Sequence, residues 1–337
     1  MPASLGPHRR EPRLNEFRPA SIPPVHNIDQ DLFRRVLTYD CKRLAHVVLN
    51  RYVIHSVSAL LRCYQLPPAL FSFSMVDIHT HILAGLDDGA ESLDMSMAMA
   101  EMAIKDGITH IIGTPHANPN HDFIPELVRA RRDEIQSRFE GRLTVATGCD
   151  FHLSFENLQN IRLYPERYTL NQKNYLLVEF ADFSIPPSMD QALHDLQLAG
   201  LQPIITHPER NPLIRVKSDR LFRWIRQGCY VQVTAGSLLA KFGKAAKESA
   251  SEWLDAGGVH FLASDAHNVT SRPPILSDAF AFLEKAHGKE VARALLVDNP
   301  LAAFEGHPLP FVPELAEDAG LAPGATPTRK KKRFWIF

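Results

Sequence analysis

The chain has 337 residues, of which 45% are apolar and 22% are charged, and its formal net charge is −1. This composition is typical of a globular protein with one large or two smaller domains. The charge provides no field that would attract nucleic acid, and no run of about 20 apolar residues predicts a transmembrane helix. We therefore expect neither a nucleic-acid partner nor a membrane-spanning segment.

The four cysteines, Cys41, Cys63, Cys149 and Cys229, are widely spaced and form no CxxC pair. This spacing argues against a disulfide framework and against a structural zinc site. Reduced thiols in a cytoplasmic protein are the expected state.

Residues 1–74 differ from the rest of the chain, because they are rich in Pro and Arg at first and carry no recognisable chemistry. The stretch ends shortly after Pro67 and Pro68, which are expected to break the chain. We interpret it as a poorly structured extension, or as an over-long gene start in which Met75 is the true initiator. Sequencing the N-terminus of the natively expressed protein tests this interpretation.

From Met75 to about residue 310, short apolar runs alternate with helical stretches. The predicted strands are VDIHTHIL, ITHIIGTPH, LTVATGCDFH, YLLVEF, LQPIITHPER, YVQVTAGSLL and VHFLASDAHN. Seven alternations of this kind favour a closed parallel α/β barrel or a large parallel sheet. In a barrel, catalytic residues gather at the C-terminal ends of the strands.

Polar side chains occur at or just after nearly every one of these strands. His79 and His81 are two residues apart in a strand, so both point to the same face. The further candidates are Asp87 and Asp88 in GLDDGA, His116 in GTPH, Asp150 and His152 in GCDFH, Glu179 in LVEF, His207 and Arg210 in THPER, and Asp265 and His267 in ASDAH. Each alone has an ordinary explanation, such as a turn or a structural histidine. Packing does not explain the whole series, because such residues are rarely buried unless they are paired or metal-bound.

Imidazole and carboxylate groups without thiolate suit Mn²⁺, Fe²⁺ or Zn²⁺. The number of candidate ligands predicts two or three ions. Clustered divalent metals favour the hydrolysis of phosphate esters. Arg210 and Arg272 carry planar guanidinium groups that match phosphate oxygens, although surface ion pairing is the alternative role for both.

Together the motifs resemble the PHP (polymerase and histidinol phosphatase) superfamily, and within it the bacterial CpsB/CapC-type manganese-dependent protein-tyrosine phosphatases. The matching runs are DIHTHILAGLDDGAES, GTPH, LVEF, ITHPER, GCYVQVTAGSL, ASDAHNVTSRPP and DNP at 298–300, in family order over roughly 75–308.

The resemblance implies a distorted (β/α)7 TIM-like barrel, the PHP fold, over residues 75–310, holding three metal ions. Arg210 and Arg272 would bind phosphate, and Asp88 would serve both as a ligand and in catalysis. Where the family has Glu, this chain has the shorter Asp150, and His152 is an alternative ligand there. The implied metal ligands are His79, His81, Asp88, His116, Asp150, Glu179, His207, Asp265 and His267.

The implied activity is hydrolysis of phosphotyrosine on the tail of a bacterial tyrosine kinase that controls capsule or exopolysaccharide synthesis. A metal-activated hydroxide would be the nucleophile, and the chain indeed has no CxxxxxR phosphate loop. Two other enzymatic hypotheses use the same metals: a small-molecule phosphatase acting on a substrate such as histidinol phosphate, and a PHP-type nuclease. A non-catalytic, metal-bound scaffold for a kinase tail is the third alternative.

Residues 311–337 are predicted to form a flexible tail that ends in the basic and aromatic sequence RKKKRFWIF. We expect a solvated terminus, with a docking peptide or contact with an anionic membrane surface as the alternative. Deletion of residues 325–337 followed by liposome co-sedimentation separates these roles, because unchanged binding rules out the membrane contact.

Overall fold

The computed structural model describes residues 74–317 and 319–320. The predicted extension up to residue 73, and residues 318 and 321–337 of the predicted tail, lie outside the described residues. Within the described ranges, no helix is both long enough and apolar enough to cross a membrane.

The described part of the chain contains nine short strands, and neighbouring strands pair in parallel. They are β1 (Met75–Thr80), β2 (Ile108–Gly113), β3 (His116–Ala117), β4 (Thr144–Thr147), β5 (Asp150–His152), β6 (Tyr175–Glu179), β7 (Gln202–Thr206), β8 (Tyr230–Thr234) and β9 (Phe261–Ala263).

These strands form a ring of seven positions. Strands β2 and β3 are separated by only two residues, as are β4 and β5, so each pair fills one position. Two hydrogen-bonded runs result, with orders β1-β2-β4 and β3-β5-β6-β7-β8-β9. Hydrogen bonds from the His81 amide to the Ala266 carbonyl (2.8 Å) and from the Asp265 amide to the His79 carbonyl (2.9 Å) join the last position to the first. The predicted distorted (β/α)7 barrel is confirmed.

Helices follow most of the strands and bury their apolar residues against them. They are α1 (Leu93–Lys105), α2 (Pro125–Arg138), α3 (Phe155–Leu163), α4 (Ser188–Leu198), α5 (Pro212–Val216), α6 (Ser218–Arg226), α7 (Ala235–Leu238), α8 (Gly243–Asp255), α9 (Ser277–His287), α10 (Lys289–Arg293) and α11 (Asn299–Glu305). Single 3₁₀ turns lie at Pro165–Arg167 and Leu170–Gln172, and a π-helical turn lies at Ala294–Asp298.

The barrel interior is apolar towards the start of the strands and polar at their ends. In β6, Tyr175 and Leu177 belong to the inner apolar cluster, and Phe304 of α11 packs in the same cluster. Because side chains alternate along a strand, Glu179 continues the same face of β6 and emerges at the rim. The alternation of side chains along the strands therefore places polar groups at the C-terminal mouth of the barrel. Apolar side chains fill the barrel towards the start of the strands.

The DNP motif fastens the chain across the lower end of the barrel. The fully buried Asn299 side chain donates to the carbonyls of His260 (2.9 Å) and Phe311 (2.7 Å), and it accepts from the Phe311 amide at 3.1 Å. These bonds satisfy backbone groups that would otherwise be buried and unpaired. Residue 311, where the predicted tail begins, is thus tied to the barrel.

His260 is expected to make the stability of the fold sensitive to acid. It is 1% exposed, and burial lowers its pKa from 6.5 to about 3. The folded state thus holds a neutral imidazole at pH values where the unfolded chain binds a proton. Its contribution to stability is complete above about pH 6.5 and is lost as the pH falls towards 3, by up to about 1.4 kcal/mol per pH unit.

Urea unfolding at about pH 6.5 and pH 4.5, with a chelator present, measures this contribution. The His260→Gln variant keeps an acceptor for the Val231 amide, which donates to His260 Nδ1 at 3.2 Å. We expect wild type to lose roughly 2–3 kcal/mol more than His260→Gln over this interval. Equal losses in the two proteins would contradict the assignment.

Candidate metal centre

All nine side chains predicted as ligands lie together at the C-terminal ends of the strands. Nitrogen atoms of the five histidines lie 3.3–3.8 Å from carboxylate oxygens of the four acids. Most of these distances exceed a normal hydrogen bond, as expected for atoms that surround common points instead of bonding each other.

Three overlapping groups in this cluster have ligand atoms close enough to hold an ion. The groups are His81, Asp88, His116 and His267; His79, His81 and Asp150; and His116, Asp150 and Glu179.

Several observations show that the cluster suits divalent cations. The buried atoms Asp150 Oδ2 and His116 Nδ1 have no hydrogen-bond partner within the described residues. Such orphaned acceptors are costly unless something outside the protein satisfies them. The imidazole and carboxylate donors match the ligand preference of Mn²⁺, Fe²⁺ and Zn²⁺.

The electrostatics of the cluster also favour bound cations. Burial works against a charge on His79, but Asp150 and Asp265 outweigh it and raise the pKa of His79. Burial likewise opposes ionisation of Asp265, but His79, His81 and two arginines hold its pKa well below the ordinary range. The Asp265 carboxylate therefore remains anionic, and the raised pKa of His79 shows that Asp150 and Asp265 favour a positive charge beside them.

The two adjacent acids of the DDG sequence, Asp87 and Asp88, have different positions and roles. Asp87 turns inward, where it contacts His81 Nδ1 at 2.6 Å and accepts from the amides of His116 and Gly89, each at 3.0 Å. Asp88 faces the opening, where its Oδ1 lies 3.5 Å from His116 Nε2. Gly89 is required, because a Cβ there would lie 2.2 Å from the His81 carbonyl oxygen.

His79 of β1 is held by Gln232 of β8, and only the β9 position lies between these two strands in the ring. Its Nδ1 lies 2.9 Å from Gln232 Oε1, and both side chains are fully buried. With Nδ1–H donating to Gln232, Nε2 is the nitrogen that faces Asp150 and Asp265. The hydrogen bond thus selects the tautomer that leaves Nε2 free as a ligand.

Two candidate ligands occupy strained backbone conformations. His207 has φ +31° and Asp265 has φ +52°, a region uncommon for residues other than glycine. Such strain persists where the surrounding structure enforces it, often at functional sites. The turn after His207 is held by Glu209, whose buried carboxylate accepts from the Thr234 amide (3.0 Å) and the Ser237 hydroxyl (2.7 Å).

Arg210 and Arg272 approach the cluster from its open side. Arg272 Nη2 lies 2.5 Å from Asp265 Oδ2, and Arg210 Nη1 contacts the same oxygen. Both arginine side chains remain about one quarter exposed, at 27% and 23% for Arg210 and Arg272. The guanidinium groups of Arg210 and Arg272 therefore border the cluster on the side where an anion would enter.

The structure places Asp150, and not His152, within the cluster. Asp150 is fully buried and belongs to two of the three groups, whereas His152 belongs to none of them. Asp150 lies at the start of β5, next to His116 of β3, and its Oδ2 is 3.3 Å from His116 Nδ1.

Two supporting residues, Glu209 and Gln232, escaped prediction, and Asp87 was a candidate whose contact with His81 was not foreseen. Asp87 and Glu209 both lie in matched motifs. An acid that could accept from a histidine Nδ1 would have pointed to Asp87, and an acid that could accept from a backbone amide would have pointed to Glu209. Gln232 also belonged to a matched run, GCYVQVTAGSL, but one polar residue in YVQVT fits a half-exposed strand equally well, so nothing in the sequence marked it as a partner of His79.

The cysteines of the described part do not resemble catalytic nucleophiles. Cys149 and Cys229 are both buried, and burial raises the pKa of Cys149 far above its usual value and that of Cys229 to about 12. Such thiols remain protonated at neutral pH and are inert.

Comparison with known proteins agrees with this geometry. The family model described as "Capsular polysaccharide synthesis, CpsB/CapC" matches residues 75–305. The chain belongs to the CpsB/CapC family. The resemblance read from the motifs is thereby confirmed, and the match covers all nine candidate ligands and both arginines.

Relatives within the CpsB/CapC family are named as tyrosine phosphatases. The chain is 38% identical to tyrosine-protein phosphatase YwqE of Bacillus subtilis over 221 residues, which is 64% of this chain and 87% of that protein. It is 35% identical to the putative tyrosine-protein phosphatase CapC of Staphylococcus aureus over 61% of this chain and 82% of that one.

A solved CpsB/CapC-family structure has the same fold. It is described as YwqE from Bacillus subtilis and CpsB from Streptococcus pneumoniae, unique metal-dependent tyrosine phosphatases. The match has a TM-score of 0.67 at 35% identity, and it covers 72% of this chain and 100% of the other.

Proposed function

We propose that this protein is a metal-dependent phosphatase that hydrolyses phosphotyrosine on protein. Its substrate would be the tail of a bacterial tyrosine kinase that controls capsule or exopolysaccharide synthesis. The observation that carries the proposal is the mostly buried cluster of nine imidazole and carboxylate groups with Arg210 and Arg272 on its open side. The names of the relatives support phosphotyrosine as the substrate.

The nine clustered side chains would hold two or three ions, with Mn²⁺ preferred and Fe²⁺ or Zn²⁺ as alternatives. Three overlapping groups support this number, because His81, His116 and Asp150 each belong to two of them. Bound divalent ions lower the pKa of water and offset the charge of a phosphoryl group.

The chain's own residues would bind and orient the phosphate ester. Arg210 and Arg272 offer guanidinium donors that match phosphate oxygens. His267, whose Nε2 lies 3.4 Å from Asp88 Oδ1, lowers the pKa of Asp88, so this half-exposed carboxylate is an anion at neutral pH. We therefore assign Asp88 the role of ligand and hydrogen-bond acceptor at the mouth of the site, instead of that of a proton donor.

A kinase tail as substrate would place the enzyme in the cytoplasm. The free thiols of Cys149 and Cys229 are compatible with a reducing compartment. We further propose that residues 75–310 form the catalytic domain, which the family match over 75–305 supports. The extension and the tail then lie outside the catalytic domain.

Turnover of three substrates by the Mn²⁺-loaded protein tests the function. We expect a phosphotyrosine peptide to be hydrolysed with a higher kcat/KM than histidinol phosphate or a dinucleotide. A preference for histidinol phosphate or the dinucleotide would instead support the small-molecule phosphatase or the nuclease. Bound Mn²⁺ without hydrolysis of any substrate would support the scaffold hypothesis.

Replacement of Gln232 is expected to weaken metal binding without removing a ligand. Gln232→Leu deletes the acceptor for His79 Nδ1–H, and loss of such an outer partner typically costs about 10–100-fold in metal affinity. Gln232→Glu keeps an oxygen at this position and should retain most of the affinity. Competition with a chromophoric chelator measures both variants, and wild-type affinity in Gln232→Leu would refute the assignment.

A further inference from the structure

The two arginines at the mouth of the site share one aromatic ring. The guanidinium carbon of Arg210 lies 4.6 Å from the centroid of Phe242, and that of Arg272 lies 5.8 Å from it. Both distances are within the range of a cation–π interaction. Phe242 lies outside the nine clustered ligands, and no sequence motif drew attention to it.

The loop that carries Phe242 is built to hold the ring there. It follows α7, and its Ala240 has φ +62°, a strained conformation for a residue with a Cβ. The Lys241 amide donates to the Gly236 carbonyl at 2.9 Å and closes the turn. A Cβ on Gly236 would lie 3.1 Å from Phe242 Cε2, so the glycine lets the ring approach closely.

Two like charges so close together need a reason to stay in place. Asp265 attracts both guanidinium groups through a single oxygen, Oδ2, but an ion pair of this kind does not fix their planes. The face of an aromatic ring attracts cations and restricts the orientation of a guanidinium plane. In addition, Arg272 Nε is buried without a hydrogen-bond partner in the described residues, which leaves a donor for a bound anion.

We propose that Phe242 is a positioning residue that holds Arg210 and Arg272 together in the orientation that binds the phosphoryl group. This inference rests on the proposed function, because it assumes that the arginine pair receives a phosphate. The competing explanation is that Phe242 only fills space beside Gly236. An aliphatic side chain of similar size would fill that space equally well, but it would lack the cation–π attraction between the ring face and the two guanidinium groups.

The test compares Phe242→Leu with Phe242→Tyr, using inorganic phosphate as the probe. Phosphate binding to the Mn²⁺-loaded protein is measured by calorimetry, alongside metal content and kcat/KM for p-nitrophenyl phosphate. We expect Phe242→Leu to bind phosphate about fivefold to tenfold more weakly at unchanged metal content, and Phe242→Tyr to recover most of the affinity. The matched control is Phe282→Leu, which removes a ring that contacts Lys247 instead of Arg210 or Arg272 and should leave phosphate affinity unchanged.

A double substitution separates positioning from general damage to the fold. In the Arg210→Ala background, Phe242→Leu should cost at most half of its effect in wild type, because one of the two guanidinium groups it orients is gone. Fully additive losses, equal losses in Phe242→Leu and Phe242→Tyr, or wild-type phosphate affinity in Phe242→Leu would each overturn the inference. Failure of the wild-type protein to hydrolyse any phosphate ester would instead refute the proposed function, while the calorimetric comparison would still decide the role of Phe242.

Discussion

The His81→Ala variant is expected to lose bound metal and phosphatase activity together. His81 belongs to two of the three potential ion-binding groups, and its ring lies 3.9 Å from His267 and 4.6 Å from His116, measured between centroids. Loss of a residue that only hydrogen-bonds to a metal ligand already costs about 10–100-fold in metal affinity or activity. We therefore expect loss of the ligand itself to reduce kcat/KM by at least about a hundredfold. Elemental analysis and initial rates on the same samples provide the measurement.

Asp265→Asn tests the same cluster with little change of shape. Asparagine tolerates the positive φ of Asp265, so the backbone need not relax. The neutral amide removes a charge that attracts His79, His81 and both arginines. We expect this variant, too, to lose metal and activity in parallel.

The control for both variants is His194→Ala, an exposed histidine on α4 that should leave metal content and activity unchanged. If His81→Ala or Asp265→Asn kept full metal occupancy and full turnover, the cluster would not be the metal centre. Loss of metal with unchanged activity would contradict the claim that the reaction depends on this site.

Arg210→Ala is expected to retain metal but to lose most of its turnover. Removal of one preorganised donor to a developing charge typically costs about 10²–10³-fold in kcat. Arg210→Lys should fall between wild type and Arg210→Ala, because the ammonium keeps the charge but not the planar fork. Metal content should stay at the wild-type level in both variants, since Arg210 lies at the edge of the cluster with 27% of its side chain exposed.

A surface arginine provides the comparison for this prediction. Arg162 pairs with Asp195 at 2.9 Å, and its side chain is 53% exposed. Arg162→Ala should leave kcat within the error of the assay, because exposed ion pairs contribute little. Full activity in Arg210→Ala would show that its assignment to phosphate binding is wrong.

The ends of the strands were predictable because two simple rules act together there. Side chains alternate along a strand, and parallel strands of a barrel end at the same rim. His79 and His81, two apart, therefore had to share a face, and Glu179 had to emerge beside them once β6 took its place in the ring. Sequence alone was enough to bring these residues into one cluster.

Sequence reasoning failed where tertiary contacts decide the outcome. The run LTVATGCDFH was predicted as one strand, but β4 ends at Thr147 and β5 begins at Asp150. The break lies at Gly148, where a Cβ would lie 2.8 Å from Leu170 Cδ2, a contact with no trace in the local pattern. Gln232 meets His79 only because the ring closes, 153 residues apart in sequence.

The role of Phe242 could not be predicted for a different reason. It lies in a loop with no recognisable motif, and its meaning comes from the two guanidinium groups beside it. A loop aromatic has no periodicity that indicates which neighbours it will meet. Its role becomes visible only when the ends of β7, β8 and β9 are brought together.

Hydrolysis of phosphotyrosine by this chain should depend on the clustered metal site. Phosphate release from a phosphotyrosine peptide should be measured on the full-length protein before chelation, after removal of metal, and after addition of Mn²⁺. We predict that activity disappears with the metal and returns with Mn²⁺, while His81→Ala stays inactive throughout. Equal phosphate release by the metal-free and Mn²⁺-loaded wild-type protein, or none from the Mn²⁺-loaded protein, would contradict this account.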